Sequence, residues 1–323
     1  MAFSRFASIS LDLDDLWTYL RTRGDPTWEA RPSYLPLFIP QVLEILDRLE
    51  HRITFFIVGF DADREVNLPY FRAMADAGHE MANHSFHHET WFQLLPTDRL
   101  EQEISQAEGA ILRATGQRPT GFRGPGFTWS PQLLEVLAGR HYVYEASTLP
   151  TFIGPLARAY LIGSARLNHE ERARRGALFG AFSDGFRPNK PYRWQLASGR
   201  RMLEIPVTTM PVTRVPFHMS YLLYLSAFSP ALMRTYLRTA IGACKLFNVE
   251  PSFLLHPLDL LGGDLVPQLS FFPGMNLPTE RKRQLTVEVL QILASEFELV
   301  TMAAHASRLA QEELAGLVPA TAV

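Results

Sequence analysis

The chain is 323 residues long and 47% hydrophobic, which is enough for a sizeable core in one large domain or two small ones. Its formal net charge of -2 gives no indication of binding to nucleic acid. The single cysteine, Cys244, excludes an internal disulfide framework and favours a reducing compartment.

Strands and helices alternate along the sequence. Periodicity and stop signals predict strands at 7–13, 53–58, 80–82, 142–146, 203–208, 252–256 and 298–302, and a strand end at 121–123. Between them they predict helices at 36–49, 68–77 and 97–115, a helix after Ser130 and a helix at 279–297. This alternation predicts an α/β fold with a parallel sheet. Periodicity alone does not distinguish an open sheet from a barrel.

Two segments interrupt the alternation. We predict a single domain over residues 1–310, an irregular insertion at about 149–200 and a flexible tail at 311–323. The insertion holds an apolar stretch at 149–163 and then a basic cluster, which consists of Arg166, Arg172, Arg174 and Arg175. A second apolar stretch, at 215–224, is also interpreted as an insertion over the carboxyl ends of the strands.

Acidic and imidazole side chains follow two of the predicted strands. Asp12, Asp14 and Asp15 lie at the end of the first strand, and His84 and His88 follow the third. Functional residues gather where the carboxyl ends of parallel strands meet. One carboxylate and two imidazoles suit a divalent metal, and a spare carboxylate could act as a base on water. The pattern therefore points to metal-assisted hydrolysis.

Four segments, in this order, resemble the polysaccharide deacetylases of the NodB-homology type (carbohydrate esterase family 4). They are Asp14-Asp15, the segment from His84 to His88, Phe122-Arg123-Gly124-Pro125-Gly126 and Leu254-Leu255-His256-Pro257. The resemblance extends from residue 8 to residue 257 and implies a distorted (β/α) barrel with about seven parallel strands. The branch of the family that acts on lipid-linked aminosugars is one hypothesis within it.

The resemblance implies a metal centre. Asp15, His84 and His88 would bind one divalent ion, and Asp14 would be the general base. Zinc is the metal expected first, although iron, cobalt, nickel or manganese would suit the same ligands. The alternative for the carboxylates is a helix N-cap or a structural hydrogen bond, and the alternative for the histidines is a solvated loop.

The resemblance also implies roles around the metal. His256 would be the general acid that protonates the leaving amine, and Arg123 would orient the base carboxylate through a bidentate pair. Trp17, Pro125 and Phe127 would line the substrate site. The alternatives are a structural histidine at a strand end and an ordinary ion pair.

Two positions depart from the family pattern. Asp12 stands where the family usually has Thr or Ser, and strand alternation places it on the same face as Asp14, but no catalytic role is assigned to it. The segment Tyr144-Glu145-Ala146-Ser147 stands where relatives have Tyr-Asp-Ser-Ser. The residue that orients His256 is therefore not identified from the sequence.

The resemblance implies removal of an N-acyl group, acetyl or formyl, from an aminosugar, a polysaccharide or a lipid-linked glycan. The apolar stretches and the arginines suggest peripheral contact with a membrane surface. Ordinary core packing explains the apolar stretches equally well, and a solvated helix face is the alternative that is favoured for the arginines. Full burial of Leu222, Leu223 and Phe228 would contradict the membrane hypothesis. The N-terminus has no signal-peptide pattern and no stretch is long and apolar enough to span a bilayer, so a cytoplasmic location is expected.

Two other functions remain open. One is hydrolysis of a small amide, as in allantoinase-like relatives, which would need a closed pocket. The other is glycan binding without turnover, which the presence of Asp14, Asp15, His84, His88 and His256 disfavours. The sequence does not indicate the oligomeric state.

Overall fold

The computed structural model describes residues 5–89, 91–156, 181–309 and 317–320. Its strands are β1 (Phe6–Leu13), β2 (Thr54–Ile57), β3 (Glu80–Asn83), β4 (Gly121–Phe122), β5 (Tyr144–Glu145), β6 (Tyr192–Gln195), β7 (Arg201–Glu204), β8 (Ser252–Leu255), β9 (Glu298–Val300) and β10 (Leu317–Pro319). Its α-helices are α1 (Leu16–Arg23), α2 (Leu35–Arg48), α3 (Gly59–Asp63), α4 (Leu68–Asp76), α5 (Thr97–Thr115), α6 (Pro131–Gly139), α7 (Met219–Phe228), α8 (Pro230–Leu246), α9 (Thr279–Ala294) and α10 (Met302–Leu309).

The strands form one sheet in the order β10-β6-β7-β5-β4-β3-β2-β1-β8, and β9 pairs with β1. All pairs are parallel except β6 with β7. The segment just after β7 is hydrogen-bonded to the first residue of β8. The Thr208 N–H donates to Ser252 O (3.1 Å), and the Ser252 N–H donates to Thr208 Oγ1 (2.8 Å). β1, β2, β3, β4, β5, β7 and β8 thus form a ring, and the predicted α/β fold with a distorted barrel is confirmed.

The core forms where the apolar faces of the helices pack against the strands of the ring. β1 is buried along its whole length, as expected for a central parallel strand. Helix α2 repeats apolar residues at helical spacing, and Phe38, Ile39 and Val42 belong to the same core cluster as Ile9 and Leu11 of β1. Among the helices described, none combines the length and the apolar character that crossing a bilayer requires.

Sequence signals at helix ends agree with the structure. The Ser130 side chain accepts a hydrogen bond from the Leu133 N–H at the start of α6, with Pro131 at the first helical position. Gly116 ends α5 in the left-handed conformation (φ 75°), which glycine adopts without steric cost. The same signal, Ser229 followed by Pro230, begins α8, which the sequence reading did not identify.

Other elements differ from the prediction. Part of the segment predicted as a flexible tail, Leu317–Pro319, forms β10 beside β6, because β6 would otherwise have an unpaired edge. The segment at 215–224, interpreted as an insertion, contains the start of α7. The basic cluster of Arg166, Arg172, Arg174 and Arg175 lies outside the described residues. The single-domain boundaries at 1–310 remain a prediction.

Candidate active site

The end of β1 presents two carboxylates to the inside of the ring. Asp12 and Asp14 are two residues apart and therefore lie on the same face of the strand. Asp14 Oδ1 lies 3.0 Å from His88 Nε2 and 3.4 Å from His84 Nε2. One ligand atom from each of these three side chains lies within 4.8 Å of the others. Asp14, His84 and His88 therefore form the candidate metal site.

The loop after β3 turns both histidines towards Asp14. Ser85 (φ 62°) and His88 (φ 50°) adopt the left-handed conformation, which bends the chain sharply. Asn83 Oδ1 accepts the Ser85 N–H at 2.8 Å, and Ser85 Oγ accepts the His88 N–H at 3.2 Å. These bonds fix the loop locally.

Glu103 of α5 holds the middle of the same loop. Its carboxylate accepts the backbone N–H groups of Phe86 (3.0 Å) and His87 (2.9 Å), and its other oxygen lies 2.5 Å from His87 Nδ1. The His87 ring therefore points to Glu103. Burial of Glu103 alone would raise its pKa, but the hydrogen bonds from His87 and Phe86 lower it, so the carboxylate stays ionised.

The tautomer of His84 follows from its partner. His84 Nδ1 lies 2.6 Å from Arg123 O, and a carbonyl oxygen only accepts, so Nδ1 carries the hydrogen. In the neutral ring Nε2 then has a free lone pair, and it is the nitrogen that faces Asp14. A backbone carbonyl that fixes a histidine in this way is typical of metal-binding imidazoles.

The three side chains fit a divalent cation. Asp14 Oδ1 and His88 Nε2 are buried and have no hydrogen-bond partner of good geometry in the described part of the chain. Burial alone would raise the pKa of Asp14, but the charge of His88 and the close approach of both imidazoles lower it. An ionised carboxylate and two imidazole nitrogens aimed at one point are the donor set that zinc and similar metals bind.

Asp15, which the sequence assigned to the metal, faces away from the histidines. Its Oδ1 accepts the Leu16 N–H (2.7 Å) and the Tyr34 N–H (2.9 Å), so it is the N-cap of α1. Successive residues of a strand point to opposite faces, so Asp15 cannot follow Asp14 into the site. The carboxylate beside His84 and His88 belongs to Asp14, and this corrects the predicted ligand set.

Arg123 contacts Asp12 and leaves Asp14 to the histidines. The guanidinium is fully buried, and its Nη1 donates to Asp12 Oδ1 at 2.6 Å and to Ser10 Oγ at 3.0 Å. Its Nε donates to Ala146 O at 2.9 Å, and the group lies 4.2 Å from the centre of the Phe56 ring. The predicted bidentate pair is therefore a contact through one nitrogen, and its partner is a different carboxylate.

His256 lies on the opposite side of Asp12 from the arginine. Its Nε2 is 3.9 Å from Asp12 Oδ2, and its Nδ1 is 3.9 Å from Asp259 Oδ2. Both distances exceed a hydrogen bond. The His256 backbone is held firmly, because its N–H donates to Asp259 Oδ2 at 2.8 Å while Ser220 Oγ donates to Asp259 Oδ1 at 2.8 Å.

A second histidine, His218, lies beside His256. The His218 ring is buried, and its centre lies 6.4 Å from that of His256. Burial and the neighbouring His256 lower the pKa of His218 to about 3, so its ring is neutral at ordinary pH. Its Nδ1 has no hydrogen-bond partner among the residues described.

The predicted substrate-lining residues divide into two groups. Pro125 and Phe127 line a small pocket of about 120 Å³ that also contains Asp12, Asp14, His84, His88 and His256. Trp17 is fully buried, and its Nε1 donates to Asp61 Oδ1 at 2.9 Å. The Trp17 side chain thus lies in the packing between α1 and α3 and does not line the small pocket, and its predicted place in the substrate wall is corrected.

Several residues near the site carried no clear signal in the sequence. Tyr19 of α1 and Phe272 line the same small pocket. Tyr19 could be found only once α1 was known to begin at Leu16. Glu103 could be found only from the three-dimensional packing of α5 against the histidine loop.

Comparisons with known proteins agree with these motifs. Residues 11–144 match the family model of polysaccharide deacetylases. The chain is 32% identical over 115 residues to a peptidoglycan deacetylase-like protein of Gibberella zeae, a match that covers 34% of this chain and 32% of that protein. It is 34% identical over 132 residues to a chitooligosaccharide deacetylase of Sinorhizobium fredii, covering 37% of this chain and 58% of that protein. Each match thus spans less than two thirds of the relative.

The fold is similar to a solved structure over its whole length. A crystal structure from Mycobacterium smegmatis, provisionally described as a polysaccharide deacetylase, aligns with a TM-score of 0.59 and 17% identity. The alignment covers 100% of this chain and 96% of that chain. At this identity the similarity concerns the fold alone.

Proposed function

We propose that this chain, whose residues 11–144 are a polysaccharide deacetylase domain of the NodB type, is a metal-dependent hydrolase that removes an N-acyl group from an aminosugar. The observation that carries the proposal is the convergence of Asp14, His84 and His88 within 4.8 Å. Asp12 and His256 adjoin them in the same small pocket. This arrangement combines metal ligands, a carboxylate base and an imidazole acid.

Asp14, His84 Nε2 and His88 Nε2 would hold the ion. When bound, a divalent metal would polarise the scissile carbonyl and make water more acidic. Zinc is the first choice for this donor set, and iron, cobalt, nickel and manganese are the other candidates.

The geometry favours Asp12 as the general base in place of Asp14. Asp14 Oδ1 is directed at the two histidines, whereas Asp12 keeps Oδ2 on the pocket side while Arg123 holds its Oδ1. The contact with the buried arginine holds this carboxylate in a fixed orientation. Asp12 would accept a proton as water attacks the acyl carbon.

His256 would supply the second proton transfer. The C–N bond breaks as the amine leaves, and an amine is a poor leaving group unless its nitrogen is protonated. The His256 imidazolium would donate that proton, and Asp259 would hold its backbone in place. Water thus contributes its oxygen to the released carboxylate, and the nitrogen leaves as an amine.

The relatives support a glycan substrate. Their names refer to chitooligosaccharide and to peptidoglycan, both of which contain N-acetylated aminosugars. We propose an N-acetyl or N-formyl aminosugar in a polysaccharide or a lipid-linked glycan as the substrate class. Small-amide hydrolysis and glycan binding without turnover are the alternatives that the assay below distinguishes.

Membrane contact rests on fewer residues than the sequence suggested. Leu222 and Leu223 are buried, whereas Phe228 is 85% exposed. The condition that would contradict the hypothesis, burial of all three, is therefore not met. Peripheral contact and a cytoplasmic location both remain predictions.

The test is acyl release with acetate and formate measured separately. The protein is offered soluble N-acylated sugars, chitooligosaccharides and a membrane lipid extract, each with and without chelator. Release that stops with chelator and returns with added zinc is expected from at least one glycan. Release only from small acyclic or cyclic amides would favour the alternative hydrolase, and glycan binding without release would favour the non-catalytic function.

A further inference from the structure

A second and larger cavity opens beside the small pocket that contains Asp12, Asp14, His84, His88 and His256, which is called the catalytic pocket below. Its volume is about 520 Å³, within the range of sites that bind small organic molecules. Asp14, Tyr19, Phe127, His256 and Phe272 line both the cavity and the catalytic pocket, so the two spaces adjoin. A group that occupies the cavity is therefore only a few bonds from an amide held at the candidate metal site.

Most of the described lining of this cavity is apolar. Asp14 and His256 lie where it meets the catalytic pocket, and His218 is next to His256. Beyond them the described lining is mostly aromatic and aliphatic, and it includes Ile153 and Leu258. Apart from Ser220 and the tyrosine hydroxyls, this lining offers a sugar ring few hydrogen-bond partners, whereas burying an apolar group there is favourable.

Helix α7 shows that the apolar character extends outward. Its buried side carries Leu222 and Leu223, which pack into the core. Tyr221 and Tyr224 line the cavity, and Phe228 lies one further turn along the same face. Tyr224 is 41% exposed and Phe228 is 85% exposed, so the apolar face runs from the cavity to the surface.

We propose that the cavity binds an apolar substituent of the substrate that is attached close to the scissile amide. The inference rests on the proposed function, because it takes His256 and Asp14 as the catalytic end. The substituent is either an acyl chain longer than acetyl or an alkyl or aryl group carried by the aminosugar. Both sources share the same chemistry, and the experiment separates them.

Two substrate series test the proposal with the zinc-loaded protein. One series contains N-acetyl-, N-butanoyl- and N-octanoylglucosamine. The other contains the methyl and the octyl glycosides of N-acetylglucosamine. We expect kcat/KM to rise roughly tenfold or more along one series, because each buried methylene contributes to binding. A rise in the first series identifies the acyl chain, and a rise in the second identifies the sugar substituent.

Paired variants connect the preference to the cavity. Ile153→Trp fills part of the lining, and it should reduce the ratio of kcat/KM between the long and the short substrate roughly tenfold. The matched control is Leu232→Trp on α8, where the side chain is 49% exposed and lies outside the cavity lining. This control should leave the ratio unchanged.

The outcomes separate the two proposals. Turnover of N-acetylated sugars with equal kcat/KM along both series would overturn the cavity proposal and leave the proposed function intact. If no amide is hydrolysed, the proposed function fails, and calorimetry decides the cavity proposal by comparing N-octanoylglucosamine with N-acetylglucosamine and the octyl with the methyl glycoside. Tighter binding of the long member of either pair that Ile153→Trp weakens would support it, and equal or no binding within both pairs would overturn it.

Discussion

Asp14 and Asp15 are consecutive residues, yet they lie in two different environments. Asp14 points into the ring, where two histidines lower the pKa of its carboxyl. Asp15 points behind α1, where burial raises the pKa of its carboxyl to about 6 in spite of hydrogen bonds from Ser33, Tyr34 and Leu16. The pair shows that the environment of a carboxylate, more than its place in a motif, decides what it can do.

The environment of Asp15 contains a second buried acid. Burial and the charge of Asp15 raise the pKa of Asp61 well above its usual value. Asp15 Oδ2 and Asp61 Oδ2 are buried and have no hydrogen-bond partner in the part of the chain that is described. Two buried carboxyls in this position favour a state in which at least one of them is protonated.

The largest contrast should come from paired asparagine variants. Asp14→Asn removes the charge that faces His84 and His88, and we expect bound zinc and deacylation to fall by on the order of 10²-fold or more. Asp15→Asn keeps the oxygen that caps α1, so it should retain zinc at wild-type stoichiometry. Elemental analysis of purified protein and the acyl-release assay measure both effects. The opposite order, with zinc lost from Asp15→Asn only, would restore the ligand set predicted from the sequence.

A second substitution separates the base from the ligand. Asp12→Asn should reduce kcat by roughly 10²–10⁴-fold, because Asp12 would accept a proton. The zinc content should stay unchanged, because Asp12 does not belong to the cluster of Asp14, His84 and His88. Rate and metal content measured on the same preparation give the answer. Full activity in this variant would return the base role to Asp14.

The smallest effect concerns pH and stability. The pKa of Asp15 is raised from 3.8, its value in an unfolded chain, to about 6 in the folded state. The contribution of Asp15 to the free energy of unfolding is therefore fully present below about pH 4 and is lost as pH rises through about 6. Wild-type stability should therefore decline over this window by roughly 1–3 kcal/mol relative to Asp15→Asn. Denaturant unfolding at pH 4, 5, 6 and 7 measures the difference. Parallel curves for the two proteins would show that Asp15 is ionised in the folded state.

The sequence contained much of this site. The βα alternation predicted the parallel sheet, and the spacing of the motifs placed Asp14, His84, Arg123 and His256 at the same edge. The strand period also placed Asp12 and Asp14 on one face, although the family pattern directed attention to the pair Asp14-Asp15. Asp is a preferred N-cap residue, so a helix beginning at Leu16 would have explained Asp15 locally.

Other features depend on contacts between distant parts of the chain. Glu103 reaches the histidine loop from α5, and Thr208 closes the ring on Ser252 across 44 residues. The apolar cavity combines residues from α1, from the segment after β5 and from α7. None of these contacts has a fixed sequence spacing, so periodicity and motif matching could not reveal them.

Arg123 has one further consequence. Its backbone carbonyl accepts a hydrogen bond from the ring of His84, and its side chain holds Asp12. The separation between one metal ligand and the carboxylate proposed as base is thus set by the covalent bonds of a single residue and by two hydrogen bonds. A displacement of Arg123 would therefore disturb both groups at once, so a single residue couples the position of a candidate metal ligand to that of the proposed base.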